Sequence, residues 1–303
     1  MKYLIVGASG FVGKHLLAYV RSHGFEGLGT QSRQNHPGLL VFNLLEDRIG
    51  ACVEEAFFQG GEPVCCVICS AICQIDRCKQ EHAISHQVNV EQTIRLLDEM
   101  AELGAKPVFL SSDGVFEGTR GFYCEEDPPC PVNEYGRQKV EVERYLQEAA
   151  PESLTVRLSK VVGDDPGERH LLSEWYHALE EQRTIRCIEG QIFSPTFVED
   201  VVKGIVVGCE QGLSGVYHLA NPQPFARDEL ARQFVSALGR QAAIVCCPQR
   251  EFGFLERRAE KTFLDSTKFM KATGMRFTPM PEVFRSFARH LPRAAEEVAG
   301  KRV

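Results

Sequence analysis

Tyr135 and Lys139 are the residues of this chain best placed to do chemistry. They stand four apart in Tyr135-Gly136-Arg137-Gln138-Lys139, a spacing that sets both on one face of a helix, about one turn apart. Upstream, Leu110-Ser111-Ser112-Asp113 ends an apolar, strand-like run. A hydroxyl, a phenol and an ammonium converging on one point make a proton-transfer device for a carbonyl/alcohol pair. A free phenol titrates near ~10. A neighbouring Lys⁺ favours the phenolate, so the Tyr135 pKa is expected to fall toward working pH, where general acid–base catalysis is most effective. The same spacing also serves ordinary packing and solvation, so its weight depends on a dinucleotide site lying ahead of it.

Such a site opens the chain. The apolar run Lys2-Tyr3-Leu4-Ile5-Val6 enters Gly7-Ala8-Ser9-Gly10-Phe11-Val12-Gly13, and a helical pattern follows. Gly7 permits the tight turn, Gly10 lets backbone approach a pyrophosphate, and Gly13 lets helix and strand pack closely. The helix start offers free N–H groups to phosphate oxygens. Gly7, Ser9, Gly10, Phe11, Val12 and Gly13 are therefore expected to line a cofactor. The spacing is G-x-x-G-x-x-G rather than G-x-G-x-x-G.

The elements that must position these groups alternate. Strand patterns fall at 2–6, about 26–30, 38–42, 64–69, 107–111 and 154–158, with helical patterns at about 11–22, 47–58, 83–103 and 133–149. Alternation predicts an α/β fold with a parallel, doubly wound sheet. Ligands of such sheets sit at the carboxyl ends of the strands. Gly7, Ser70, Ser112 and the loop after Arg157 all fall at such ends. Beyond 158 the regularity loosens into a loop, a helical stretch carrying Trp175, and a short strand at 184–188.

Glycine turn, serine strand and Tyr/Lys helix, in that order, resemble the extended short-chain dehydrogenase/reductase family. More narrowly the chain resembles its dTDP-4-dehydrorhamnose reductase branch, almost end to end. Ser111-Ser112-Asp113-Gly114-Val115-Phe116-Glu117-Gly118 is similar to S-T-D-Y-V-F-D-G, and Val132-Asn133-Glu134-Tyr135-Gly136-Arg137-Gln138-Lys139 to L-N-x-Y-G-x-x-K. Gly190-Gln191-Ile192-Phe193-Ser194-Pro195-Thr196 resembles Q-x-x-S-P-T, and Gly215-Val216-Tyr217-His218-Leu219-Ala220 resembles G-x-Y-H-L. The resemblance implies a Rossmann-type domain over 1–158, to which about 196–221 return. It implies a smaller, discontinuous C-terminal substrate lobe from 159–195 and 222–303.

It also implies roles. Ser112, Tyr135 and Lys139 would be catalytic, with Asn89 supporting a proton relay around Lys139; an Asn bonded to its own helix backbone is the alternative. Ser70 and Ala71, in Cys69-Ser70-Ala71, would lie beside the cofactor, as would Tyr135 and Lys139 themselves. Asp113 and Arg258 would face substrate, Arg258 through Arg258-Ala259-Glu260-Lys261-Thr262-Phe263-Leu264-Asp265, which resembles R-P-x-x-S-x-L-D. Arg157, Lys160 and Arg257 are further candidates for a nucleotide diphosphate. The implied activity is NADPH-dependent reduction of a nucleotide-activated 4-keto-6-deoxy sugar. A nucleotide-sugar epimerase or dehydratase is the alternative within enzymes. A cofactor-binding regulatory subunit, like the methionine adenosyltransferase β subunit that the branch also resembles, is the alternative outside them. Gly114 stands where the branch has Tyr, which opens space beside Ser112.

Cofactor choice follows from the second strand. No Asp or Glu lies between Glu26 and Glu46 to bind a ribose 2′-hydroxyl. Ser32 and Arg33 instead offer a hydroxyl and a guanidinium to a 2′-phosphate, which favours NADP(H), with NAD(H) as the alternative.

Composition bounds the rest. The chain has 303 residues, 44% hydrophobic, enough for one large domain with a lobe. A net charge of −7 without a basic run argues against nucleic acid. No apolar stretch reaches the ~20 residues of a membrane span, and no signal-peptide layout leads the chain, so a cytoplasmic location is expected. Five of the twelve cysteines fall between Cys65 and Cys78. Cys65 and Cys66 lie in a buried-strand pattern, where neighbours point to opposite faces and do not converge on a metal. No metal and no structural disulfide is expected. Homodimerisation is left open.

Overall fold

The computed structural model describes residues 1–33 and 36–291. Six strands in chain order are β1 (Lys2–Val6), β2 (Glu26–Gln31), β3 (Leu40–Val41), β4 (Val64–Ile68), β5 (Lys106–Ser112) and β6 (Leu154–Leu158). With a seventh, Gly215–Leu219, they form one sheet ordered Gly215–Leu219, β6, β5, β4, β1, β2, β3. Every pairing in it is parallel. This is the Rossmann-type doubly wound arrangement. The strand order reverses between β1 and β4, so their carboxyl ends diverge and leave a crevice.

Side chains of the strands alternate between two cores. Tyr3, Ile5, Cys65, Val67, Val108 and Leu110 pack with helices Phe11–Ser22 and Val198–Glu210. Leu4, Val6, Cys66, Ile68 and Phe109 pack with helices Gln92–Glu102 and Glu134–Ala149. Cys65 and Cys66 thus point to opposite faces, as a two-residue period requires. A third core gathers residues from 162 to 193 and from 225 to 287. Trp175 of helix Leu171–Glu180 sits there beside Phe234, with ring centroids 6.3 Å apart.

The local readings at three places are corrected. The helix expected over 47–58 is two single turns, Ile49–Cys52 and Glu55–Phe58, because Val53 is extended between them. The strand expected over 38–42 shrinks to Leu40–Val41, which pairs only with Thr30 and Gln31. The helix expected over 83–103 is interrupted by a π-helical turn, Gln87–Glu91.

Candidate active site

The crevice begins at the glycine turn. Gly7 has φ +87°, and a Cβ there would lie 2.8 Å from the Ser70 nitrogen. Glycine is required on both counts. A Cβ on Gly13 would lie 2.4 Å from the Gly7 carbonyl oxygen, so helix and β1 meet at a distance only glycine allows. The Thr30 hydroxyl and carbonyl of β2 accept the Gly7 and Ala8 N–H groups. Ser9 and Gly10 are exposed, with Phe11 and Val12 partly so. Ser70 faces this turn, and its buried hydroxyl has no hydrogen-bond partner among the described residues. Buried hydroxyls are rarely left so. Ser32 and Arg33 are exposed just beyond β2, at the same carboxyl end of the sheet as the glycine turn.

The serine loop and the tyrosine helix meet next to it. Asn133 caps helix Glu134–Ala149, its Oδ1 accepting the Gly136 N–H at 3.0 Å. A Cβ on Gly136 would stand 2.1 Å from the Gly114 carbonyl oxygen. Glycine at 136 therefore lets the helix start press against the loop after β5. A Cβ on Gly114 would sit 3.4 Å from Ser112 Oγ and 3.7 Å from Tyr135 Cδ1, so Ser112 and Tyr135 flank one small space. Lys139 is buried, and its Nζ donates to the Leu110 carbonyl at 2.8 Å while lying over the Tyr135 ring at 5.7 Å.

The electrostatics differ from expectation. Burial, then the adjacent Cys73 thiol, push the Tyr135 phenol well above its ordinary pKa. Burial pulls the Lys139 ammonium down. The phenol is thus held protonated, the form an acid must have.

Asp113 sits behind Ser112. Its carboxyl accepts from the Ser112 hydroxyl at 3.0 Å and the Ser159 hydroxyl at 3.1 Å. Burial raises its pKa against the hydrogen bonds of Thr262, Ser112 and Ser159 and the charge of Lys160. Asn89 stands in the π-helical turn. It clasps Ile72 in both directions, Oδ1 accepting from Ile72 N at 2.8 Å and Nδ2 donating to Ile72 O at 2.9 Å. Nδ2 also donates to Gln138 Oε1 at 2.8 Å. The side chain does not bond its own helix backbone: Asn89 braces the segment after Ala71 against the Tyr135 helix.

Residues 1–292 match the family described as the RmlD substrate binding domain. The chain belongs to that family. It is similar to the spore coat polysaccharide biosynthesis protein SpsK of Bacillus subtilis strain 168, with 24% identity over 297 residues, covering 97% of this chain and 99% of SpsK. It is also similar to methionine adenosyltransferase 2 subunit beta of Pongo abelii, with 24% identity over 237 residues, 76% of this chain and 70% of that one. Among solved structures it is similar in fold to a dTDP-4-dehydrorhamnose reductase of Bacillus anthracis in complex with NADP. The TM-score is 0.81 and the identity 21%, over 96% of this chain and 100% of the other. A UDP-glucose 4-epimerase of Thermotoga maritima with UDP-glucose gives a TM-score of 0.80 and 19% identity, over 96% and 98% of the two chains.

Several basic residues of this RmlD-family chain can now be sorted. Arg157 does not reach the cleft: it is 1% exposed and bonds Glu143 through Nη2 at 2.7 Å and Nε at 3.0 Å. Its expected part in holding a diphosphate is withdrawn. Lys160 keeps solvent contact although protein crowds it, and that crowding, with the charges of Arg227 and Arg258, lowers its pKa. Arg258 pairs with Asp76 at 2.8 Å and lies over the Phe254 ring. Arg227 packs over Trp175, and its Nε has no partner among the described residues. Sequence reasoning missed Ser159, Thr262, Gly136, Arg227 and Cys73. Only Gly136 carried a visible signal, a glycine in the first turn of a helix.

Proposed function

We propose that the chain is an NADPH-dependent reductase of a nucleotide-activated 4-keto-6-deoxy sugar, with residues after 222 and between 159 and 195 forming the substrate lobe. One observation carries the reading: Ser112 and Tyr135 share one small space at the end of β5, with Lys139 beneath, on the same sheet edge as the glycine turn.

The residues fit the cofactor. Gly7 and Gly13 let the turn pack tightly on Ser70 and on β1, which leaves Ser9 and Gly10 exposed at the crevice, and the orphaned Ser70 hydroxyl needs a partner there. The turn from Ser9 to Gly13 would hold the pyrophosphate, and Ser32 with Arg33 the 2′-phosphate. When bound, NADPH supplies a hydride. Tyr135 gives its proton to the substrate oxygen as negative charge develops on it. Ser112 turns its hydroxyl from Asp113 toward that oxygen, while Ser159 still serves the Asp113 carboxyl. Lys139 spends one of its three donors on Leu110 and keeps the others for ribose hydroxyls. Lys160, Arg227 and Arg258 lie close enough for their charges to act on one another, and together they would suit a diphosphate.

Loss of NADPH absorbance with dTDP-4-dehydrorhamnose tests the reading, with NADH and UDP-glucose as comparison arms. Tyr135→Phe is expected to abolish turnover and keep NADPH binding. Full activity of that variant, or epimerisation without net oxidation by the wild type, overturns it. Replacing Arg33 by Ala should weaken NADPH and leave NADH unchanged.

A further inference from the structure

The Tyr135 phenol stands between two walls. One is its own helix, entered through Asn133 and Glu134. The other is the segment leading into helix Ile75–Gln80, whose Cys73 thiol lies near enough to the phenol to help raise its pKa. One short stretch of the C-terminal region, residues 255 to 258, is tied to both walls.

Asp76, in the first turn of Ile75–Gln80, is the first anchor. Its Oδ1 accepts from the Leu255 N–H at 3.1 Å and from Arg258 Nη2 at 2.8 Å. The Glu256 N–H approaches the same oxygen at 3.4 Å. Glu256 reaches the opposite way. Its Oε2 accepts the Glu134 N–H at 2.8 Å, and its Oε1 accepts from Arg137 Nη2 at 3.0 Å. Between them the Arg257 carbonyl accepts from Asn133 Nδ2 at 3.2 Å.

The chemistry of these bonds gives them a purpose. The first N–H groups of a helix have no partner within it. Glu256 satisfies the one at Glu134, immediately before Tyr135, and adds a negative charge where the helix dipole favours one. It therefore fixes the start and the rotation of the turn that aims the phenol. Asp76 fixes the neighbouring wall, three residues from Cys73. An isolated surface ion pair contributes little to stability. Here the Glu256 side chain is only 9% exposed, and its bonds are shared with backbone.

We propose that Asp76 and Glu256 are positioning residues for Tyr135. They clamp residues 255 to 258 to both walls of the phenol, so the lobe helps hold the acid in place. The inference rests on Tyr135 being the proton donor. A misplacement of about 1 Å can cost on the order of a hundredfold in rate.

The test uses the whole chain and two readouts. Glu256→Ala and Asp76→Ala should each lower kcat with dTDP-4-dehydrorhamnose by about tenfold or more, with NADPH affinity and Tm near wild type. Glu256→Gln keeps an acceptor for the Glu134 N–H and should recover part of the loss. The second readout needs no substrate. The rate at which iodoacetamide alkylates Cys73, itself exposed, followed by peptide mass spectrometry, should change several-fold in both alanine variants, because the segment that sets the thiol beside the phenol is released. The exposed Cys246, in strand Ile244–Cys247, serves as internal reference. Wild-type rates at Cys73, or wild-type kcat in a background where Tyr135→Phe is dead, overturn the proposal. Turnover by Tyr135→Phe sinks the proton-donor assignment instead, and the alkylation rates then decide the clamp by themselves.

Discussion

Two polar clusters lie at the carboxyl end of one sheet, and they are built oppositely. Arg157 and Glu143 are sealed at 1% and 2% exposure. The carboxylate also accepts from Ser111 Oγ at 2.5 Å, Arg157 Nη1 reaches His218 Nε2 at 3.3 Å, and the guanidinium lies over the Phe116 ring. Every charge there is answered by protein. A few residues away, Tyr135, Asp113 and Lys160 are as crowded by protein but keep contact with solvent. Ser70 Oγ, Ser194 Oγ and Arg227 Nε have no partner among the described residues. Burial alone does not mark function. Nor does an unpartnered polar atom alone, since Tyr3 Oη, Gln92 Oε1 and Arg95 Nε are left so as well; it is the cluster of titratable groups and unpartnered polar atoms at one crevice that a ligand can answer.

The comparison can be broken by removing one group from each cluster. Tyr135→Phe should lower kcat by about 10²–10⁴ while urea unfolding stays at wild type, since only the phenol's proton is lost. Arg157→Met should do the reverse. It leaves Glu143 charged and unpaired, which destabilises by about 3–5 kcal/mol, read as a fall in the urea midpoint. Gly136→Ala lies between the two. Its Cβ would meet the Gly114 carbonyl oxygen at 2.1 Å, so the helix start must shift. A loss of about 1–3 kcal/mol is expected, with reduced turnover from a displaced Tyr135. A wild-type kcat would show that the loop yields instead.

The smallest effect is a slope. Burial and the charge of Arg157 lower the His218 pKa to about 3. The ring accepts from Arg157 and donates through Nδ1 to the Asp265 carbonyl at 3.2 Å, so only its neutral form fits. An unfolded His titrates near ~6.5. Between those values the unfolded chain binds the proton and the fold does not. Stability therefore falls as pH drops through this window, by up to about 1.4 kcal/mol per pH unit from this residue. His218→Asn should flatten that part of a urea-midpoint against pH curve.

Much of this architecture is legible in the sequence, because it is local. Gly7 to Gly13, the alternating strands and the Tyr135/Lys139 spacing each depend on neighbours within a few residues. What was misread depends on distance along the chain. Arg157 looks like a cleft cation until Glu143, on the facing helix, is found beneath it. Asp76 and Leu255 are 179 residues apart and share a hydrogen bond that no periodicity announces. The direction of the Tyr135 shift lies beyond the sequence for a similar reason. The Lys139 charge is visible from its spacing, whereas the burial that outweighs it belongs to the whole fold.

The π-helical turn Gln87–Glu91 acts as a phase shift. A residue more than the α-helix needs is accommodated there, and each residue of an α-helix turns the chain by about 100°. Excising one residue from this turn would let a regular helix run through to Glu102. Everything ahead of it would then rotate by that angle, and Ser85, which receives Gln138 of the facing helix, would swing off that partner. A one-residue deletion should be far more damaging here than a substitution at any single position of the same turn.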